Sequence, residues 1–147
     1  MNYRKLLYLF LSVTLFWPCS AWAEKKDKKS ELPPFEHSEI CRRTMKGTQS
    51  ELAKLLCLMG RIWNTDFQII FNGNTYDANT AVKFGRSYLF KNYEDSEKAD
   101  RWIKKHVYRQ GNGVIYLKYP DGKQRPIATV LLEELKTLNQ RGGGGLA

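Results

Sequence analysis

Phe67-Gln68-Ile69-Ile70-Phe71-Asn72-Gly73-Asn74-Thr75-Tyr76-Asp77 is the segment from which the fold can be read. Its first five residues are rich in strand formers. Asn72-Gly73 then supplies the two positive-φ positions that a type I′ turn requires, so the chain reverses into a hairpin. The return strand, starting at Thr75-Tyr76, is short, because Asp77 reads as the cap of a following helix.

Outward from this hairpin, helices flank it on both sides. On the N-terminal side, Ser50 caps a helix whose Leu52, Leu55, Leu56, Met59, Ile62 and Trp63 share one face, with Gly60 late in it. A shorter helix, Glu36 to Met45, precedes it across Lys46-Gly47-Thr48. On the C-terminal side, Ala81, Val82, Gly85, Tyr88 and Leu89 form an apolar stripe. After the loop Asn92 to Asp95, Ser96 opens another helix carrying Ala99, Trp102, Ile103 and Val107. Gly111-Asn112-Gly113 ends it. Val114 to Tyr119 is a strand, Pro120-Asp121-Gly122 a turn and Lys123 to Ile127 the partner strand. Val130, Leu131, Leu135 and Leu138 line the inner face of a last helix. Helices and antiparallel hairpins in this order predict one α+β domain, with small hairpins packed on four to five helices.

The termini set the compartment. Arg4 and Lys5 precede an apolar run from Leu6 to Phe16, and Ala21-Trp22-Ala23 supplies an A-x-A cleavage site. The run is shorter than the roughly 20 residues of a membrane span, so residues 1–23 are expected to be a signal cleaved at Ala23/Glu24, with no transmembrane anchor left behind. Cys19 follows Trp17-Pro18 and lacks the small residues of a lipid-attachment site. Residues 24–34 (EKKDKKSELPP) read as a disordered charged leader. Residues 35–140 are the expected globular part, and 141–147 a disordered glycine-rich tail. The expected location is the periplasm, or outside the cell.

Cys41 and Cys57 remain after cleavage. An even pair in an oxidising compartment points to a disulfide. If the two helices fold back on each other, the cysteines meet. If the segment is one straight helix, sixteen residues separate them by about 24 Å and they stay as two buried thiols. We read the hairpin and the bond.

Most of the order from Ser50 to Leu138 resembles a family of small exported bacterial proteins, the domain of unknown function family 5329. The resemblance rests on Asn72, Gly73, Tyr76, Ala78 and Ala81. It continues through Asp95, Ala99, Trp102, Ile103, Gly113 and Tyr116 to Leu131, Leu132, Glu134 and Leu135. The chain departs from that pattern at Phe71 (arginine in the family), Phe84 (histidine) and residues 108–113 (a serine-rich run). The resemblance implies an exported small domain and no activity.

No catalytic or cofactor signature stands out. His37 sits in a polar segment, and His106 follows Lys104-Lys105 where a helix end favours a cation. Neither the histidines nor the cysteines have metal-ligand spacing. Glu94, Asp95 and Glu97 suit a helix start. Asp66 and Asp77 flank the first hairpin and are the only carboxylate pair weighed for hydrolysis.

The net charge of +9 directs attention to the surface. Lys83, Arg86 and Lys91 come from one helix, and Lys98, Arg101, Lys105 and Arg109 from the next, with Tyr88, Tyr93 and Tyr108 among them. Cations pair with carboxylate or phosphate and aromatic faces stack on rings. The alternative is the solvated face of two amphipathic helices. The sequence-based expectation is a binding or protein-interaction domain for an anionic envelope component or another envelope protein, not nucleic acid. A small envelope hydrolase and an inhibitor or immunity-type protein are the alternatives.

Overall fold

A computed structural model describes residues 31–47, 50–108 and 113–142. Helix α1 is Glu39–Lys46 and α2 is Glu51–Ile62. Strands β1, Gln68–Phe71, and β2, Asn74–Asp77, form the first hairpin. Helix α3, Ala78–Asn92, is followed by α4, Ala99–Trp102, which runs into a π-helical turn, Ile103–Val107. Strands β3, Tyr116–Lys118, and β4, Gln124–Pro126, form the second hairpin, and α5, Ile127–Gly142, closes the fold. The expected α+β arrangement is the observed one: among the described residues, five α-helices pack with one antiparallel sheet.

Local chemistry sets most boundaries. Asn72 and Gly73 have φ of 50° and 77°, as the I′ turn demands. Asp77 ends β2 and accepts the Thr80 amide at 2.9 Å, so strand passes into helix without a loop. Ser50 accepts the Ala53 amide at 3.1 Å. Gly122, at φ 89°, turns β3 into β4.

The two hairpins fuse into one sheet of order β2-β1-β3-β4. Ile69 pairs with Tyr76 on one side and Leu117 on the other, and Leu117 pairs with Arg125. Alternation puts Phe67, Ile69, Leu117 and Tyr119 on the helix-facing side, all buried. Phe67 and Tyr119 meet edge to face at 5.3 Å. Pro126 lacks a backbone donor and sits on the edge strand β4, where none is needed.

Helices α1 and α2 form a hairpin, and Cys41 and Cys57 are bonded across it with Cα atoms 4.6 Å apart. Gly60 is a contact point inside α2 and not its end. A Cβ there would stand 2.8 Å from Ser38 Oγ, so the missing side chain lets the start of α1 close onto α2.

Four expectations need correction. The leader does not stay apart up to Pro34. Leu32 is buried, and the carbonyls of Leu32 and Pro33 accept from the Arg61 guanidinium. The last helix does not stop at Gln140. It runs through Arg141 to Gly142, and Arg141 pairs with Glu36 at 2.8 Å. The helix expected from Ser96 begins at Ala99, because its first free amide is capped from α2 and not by its own sequence. The second hairpin's strands are three residues each, shorter than Val114–Tyr119 and Lys123–Ile127. Residues 1–30 and 143–147 lie outside the described residues, and with them the proposed signal, most of the leader and the tail.

Candidate functional site: an apolar cavity between sheet and helices

Helix α3 carries small residues where a core helix usually carries large ones. Ala78, Ala81, Val82 and Gly85 all lie on the side facing the sheet and α2. The Gly85 position has only the Met59 thioether near it, at 3.7–3.8 Å from where a Cβ would stand. The missing volume is not refilled by neighbours. A cavity of about 570 Å³ opens there, within the size range of small-molecule pockets.

Every layer contributes to its wall. Met59 and Ile62 come from α2, Ile69 and Phe71 from β1, and Tyr76 from β2. Ala81, Val82, Phe84, Gly85 and Tyr88 come from α3. Trp102 comes from α4, His106 and Val107 from the π-helical turn, and Ile115, Ile127 and Leu131 from the second hairpin and α5. Strand alternation explains the sheet's share. Ile69 and Phe71 are two apart on the inner face, and Ile115 extends the row of Leu117. Phe84 is 66 % exposed, so a large apolar ring stands in solvent at the rim.

Tyr88, Trp102 and His106 bring polar groups of this wall together at one corner. Tyr88 Oη and His106 Nδ1 are 3.2 Å apart. The Trp102 ring lies 5.1 Å from the His106 ring and 6.3 Å from that of Tyr88. Trp102 is 2 % exposed, yet its indole N–H reaches no acceptor among the described residues. The π-helical turn makes the corner possible. There the Tyr108 amide bonds the Ile103 carbonyl, five residues back, at 3.0 Å. One extra residue per turn keeps Ile103 fully buried while His106 packs on Tyr88 and Trp102.

The cations expected on one face are spread over several surroundings. Lys83 and Arg86 lie over the Trp63 ring, at 5.9 and 5.6 Å. Lys83 and Tyr88, five residues apart on α3, point about 140° away from each other, and Tyr88 belongs to the cavity. Lys91, Lys98 and Arg101 are exposed. Lys105 lies 3.5 Å from Glu94 and 3.7 Å from Glu97, so acids of the preceding loop offset its charge. Tyr93 donates to the Glu97 carbonyl, and burial raises its pKa, with Glu51 adding to the effect. Tyr108 is 58 % exposed. Arg109 lies outside the described residues.

Asp77 serves the helix it caps. Bonds from Thr80 hold its carboxyl below the ordinary value, which keeps it ionised and unsuited to proton donation. Asp66 is exposed. Among the described residues, no group of three His, Cys, Asp or Glu side chains is placed to hold a metal ion. No helix among them is long and apolar enough to cross a membrane.

From sequence alone Trp102 and Val107 are core residues and His106 is a helix-end cation. The signal for the cavity was the run of small residues on α3 opposite large aromatics. It reads as ordinary core packing until the elements are assembled. No family model, curated protein or solved structure matches the chain.

Proposed function

We propose that this protein is an exported binding domain that holds the apolar body of a small amphipathic ligand in its central cavity. The observation that carries this reading is the cavity itself: about 570 Å³, apolar on most sides, with Tyr88, His106 and Trp102 gathered at one corner. A cavity left by chance mispacking has no reason to combine small residues on one helix with clustered polar groups on the next. Such a mixture of apolar wall and few convergent polar groups is the usual form of a ligand pocket.

Export is supported by the signal-like residues 1–23 and by the Cys41–Cys57 bond, which suits an oxidising compartment. The resemblance to family 5329 points to the same location. Without Arg4 and Lys5 of the signal the charge is still +7, which favours an anionic ligand, or an anionic envelope surface that delivers one. N-terminal sequencing of the cellular protein should begin at Glu24; an untrimmed Met1 in the cytosolic fraction overturns export.

The binding test uses a neutral apolar fluorophore titrated into the protein. Saturable one-to-one binding is expected, displaced by medium-chain alkyl compounds. Ala81→Phe, which places a ring in the cavity, should abolish it while the circular dichroism spectrum and cooperative melting persist. Absence of saturable binding, or wild-type binding by a folded Ala81→Phe variant, removes the proposal.

A further inference from the structure

The corner of the cavity at Trp102 says something about the ligand's polar end, given that the cavity binds a ligand at all. We infer that the ligand is a single-headed amphiphile whose head offers an acceptor oxygen, a carboxylate or carbonyl, to the Trp102 indole N–H. Its hydrocarbon body lies against Met59, Ile69 and Ile115.

The argument starts from an unmet donor. A buried indole N–H almost always finds an acceptor. Trp102 is 2 % exposed, lines the cavity, and donates to no described atom. The neighbouring rings do not supply what it lacks. Tyr88 Oη and His106 Nδ1 already engage each other at 3.2 Å. The backbone gives up regular α-helical bonding at Ile103–Val107 and holds His106 against Trp102. Irregular turns of this kind recur at functional sites.

The class of head follows from what the corner offers. An N–H donor selects an acceptor over a donor-only or acceptor-free head. An ammonium head brings no acceptor to a corner that needs one, and would meet a protein still at +7 once Arg4 and Lys5 leave with the signal. A carboxylate satisfies the indole and is favoured by the same charge. One alkyl chain suits a volume of about 570 Å³, which is of small-molecule size.

The experiment compares decanoate, methyl decanoate and decyltrimethylammonium on the isotope-labelled protein. The readout is the Trp102 indole N–H resonance, assigned by its loss in Trp102→Phe. Decanoate and its ester should each move that resonance on saturation, and decanoate should bind more tightly. Decyltrimethylammonium should bind more weakly and leave the resonance in place. Calorimetry should show Trp102→Phe losing about tenfold in decanoate affinity, as one hydrogen bond to a charged group is worth, with the ammonium probe unaffected.

A Trp102 resonance that stays still while decanoate saturates the cavity overturns the head-group assignment, and so does a Trp102→Phe variant with wild-type decanoate affinity. Both results leave the cavity reading standing. If none of the three probes binds, the cavity reading fails and this assignment fails with it. Trp63 is the one other tryptophan left after residues 1–23 are removed, so the Trp102 resonance is also the one kept in Trp63→Phe, and the reading holds even where Trp102→Phe does not fold.

Discussion

Glu51 begins α2, but its side chain serves another helix. One carboxylate oxygen accepts the Ala99 amide at 2.8 Å, and the other pairs with Lys54 at 2.7 Å. Helix α4 has no cap of its own, since Lys98 precedes it. Burial works to raise the Glu51 pKa, but the Lys54 and Ala99 bonds outweigh it and leave the value below the ordinary 4.5. The stability that Glu51 supplies is therefore present above that pH and is lost as pH falls through the lowered folded value. Glu51→Ala should destabilise the protein by about 1 kcal/mol at neutral pH, the usual worth of a cap. The gap in urea midpoint between wild type and variant should narrow as pH falls below 4.5; a gap of unchanged size throughout the acid range would assign Glu51 to packing alone. The contrast with Ser50 and Asp77 shows what one sequence reveals. Those two cap the helix that directly follows them, so their partners lie within three residues. The partner of Glu51 lies 48 residues away, and no local pattern announces it.

Between elements, Arg61 joins α2, α5 and the segment that precedes α1. It is buried on α2, pairs with Glu134 of α5, and donates to the carbonyls of Pro33 and Leu32. Its guanidinium also lies 3.8 Å above the Phe35 ring. Removing one partner of a buried pair strands the other and also frees two carbonyls. Arg61→Ala should cost roughly 3 kcal/mol. Lys at this position should recover little, because an ammonium cannot present the same planar fork. Equilibrium denaturation checks both, and proteolysis within residues 31–38 should become faster in the variant. In the sequence, a leader rich in charge and proline hides this attachment, because Leu32 and Phe35 are only two apolar residues among polar ones. The sheet shows the same limit. Each hairpin is written in its turn residues, but the β1–β3 pairing that merges them is a long-range choice, made because an unpaired edge leaves backbone groups unsatisfied. The π-helical turn is also invisible to periodicity. Ala99, Trp102, Ile103 and Val107 fit an ordinary helix face, and the extra residue emerges only from packing. A chain lacking Lys104 should restore a regular helix, keep its fold, and lose ligand binding as His106 rotates off the Tyr88–Trp102 corner. Retained affinity in that variant would detach the turn from the site.

At the level of the whole molecule, the fold gains stability from a staple and forgoes some at the cavity. The Cys41–Cys57 bond spans a separation of 16 residues, and closing a loop of that size is worth about 3 kcal/mol. An apolar pocket open at its rim works against its host, since its lining keeps apolar surface that a filled core would bury. Gly85 adds to this, because a mid-helix glycine is about 1 kcal/mol worse than alanine. Nothing in the backbone requires it. A Cβ at Gly85 would make ordinary contact with Met59 and clash with nothing. Gly85→Ala should therefore stabilise the protein by about 1 kcal/mol, raising its melting temperature by roughly 4–8 °C for a domain of this size. Larger side chains sharpen the test. Gly85→Leu and Ala81→Leu fill the cavity from the same helix, and each should hold or raise the melting temperature while ligand affinity falls, more steeply than in Gly85→Ala. That opposition is the signature of a void kept for use, where activity and stability draw on the same volume. If the filled variants melt higher and still bind decanoate as the wild type does, the small residues of α3 are a packing defect, and the ligand must be sought on another surface.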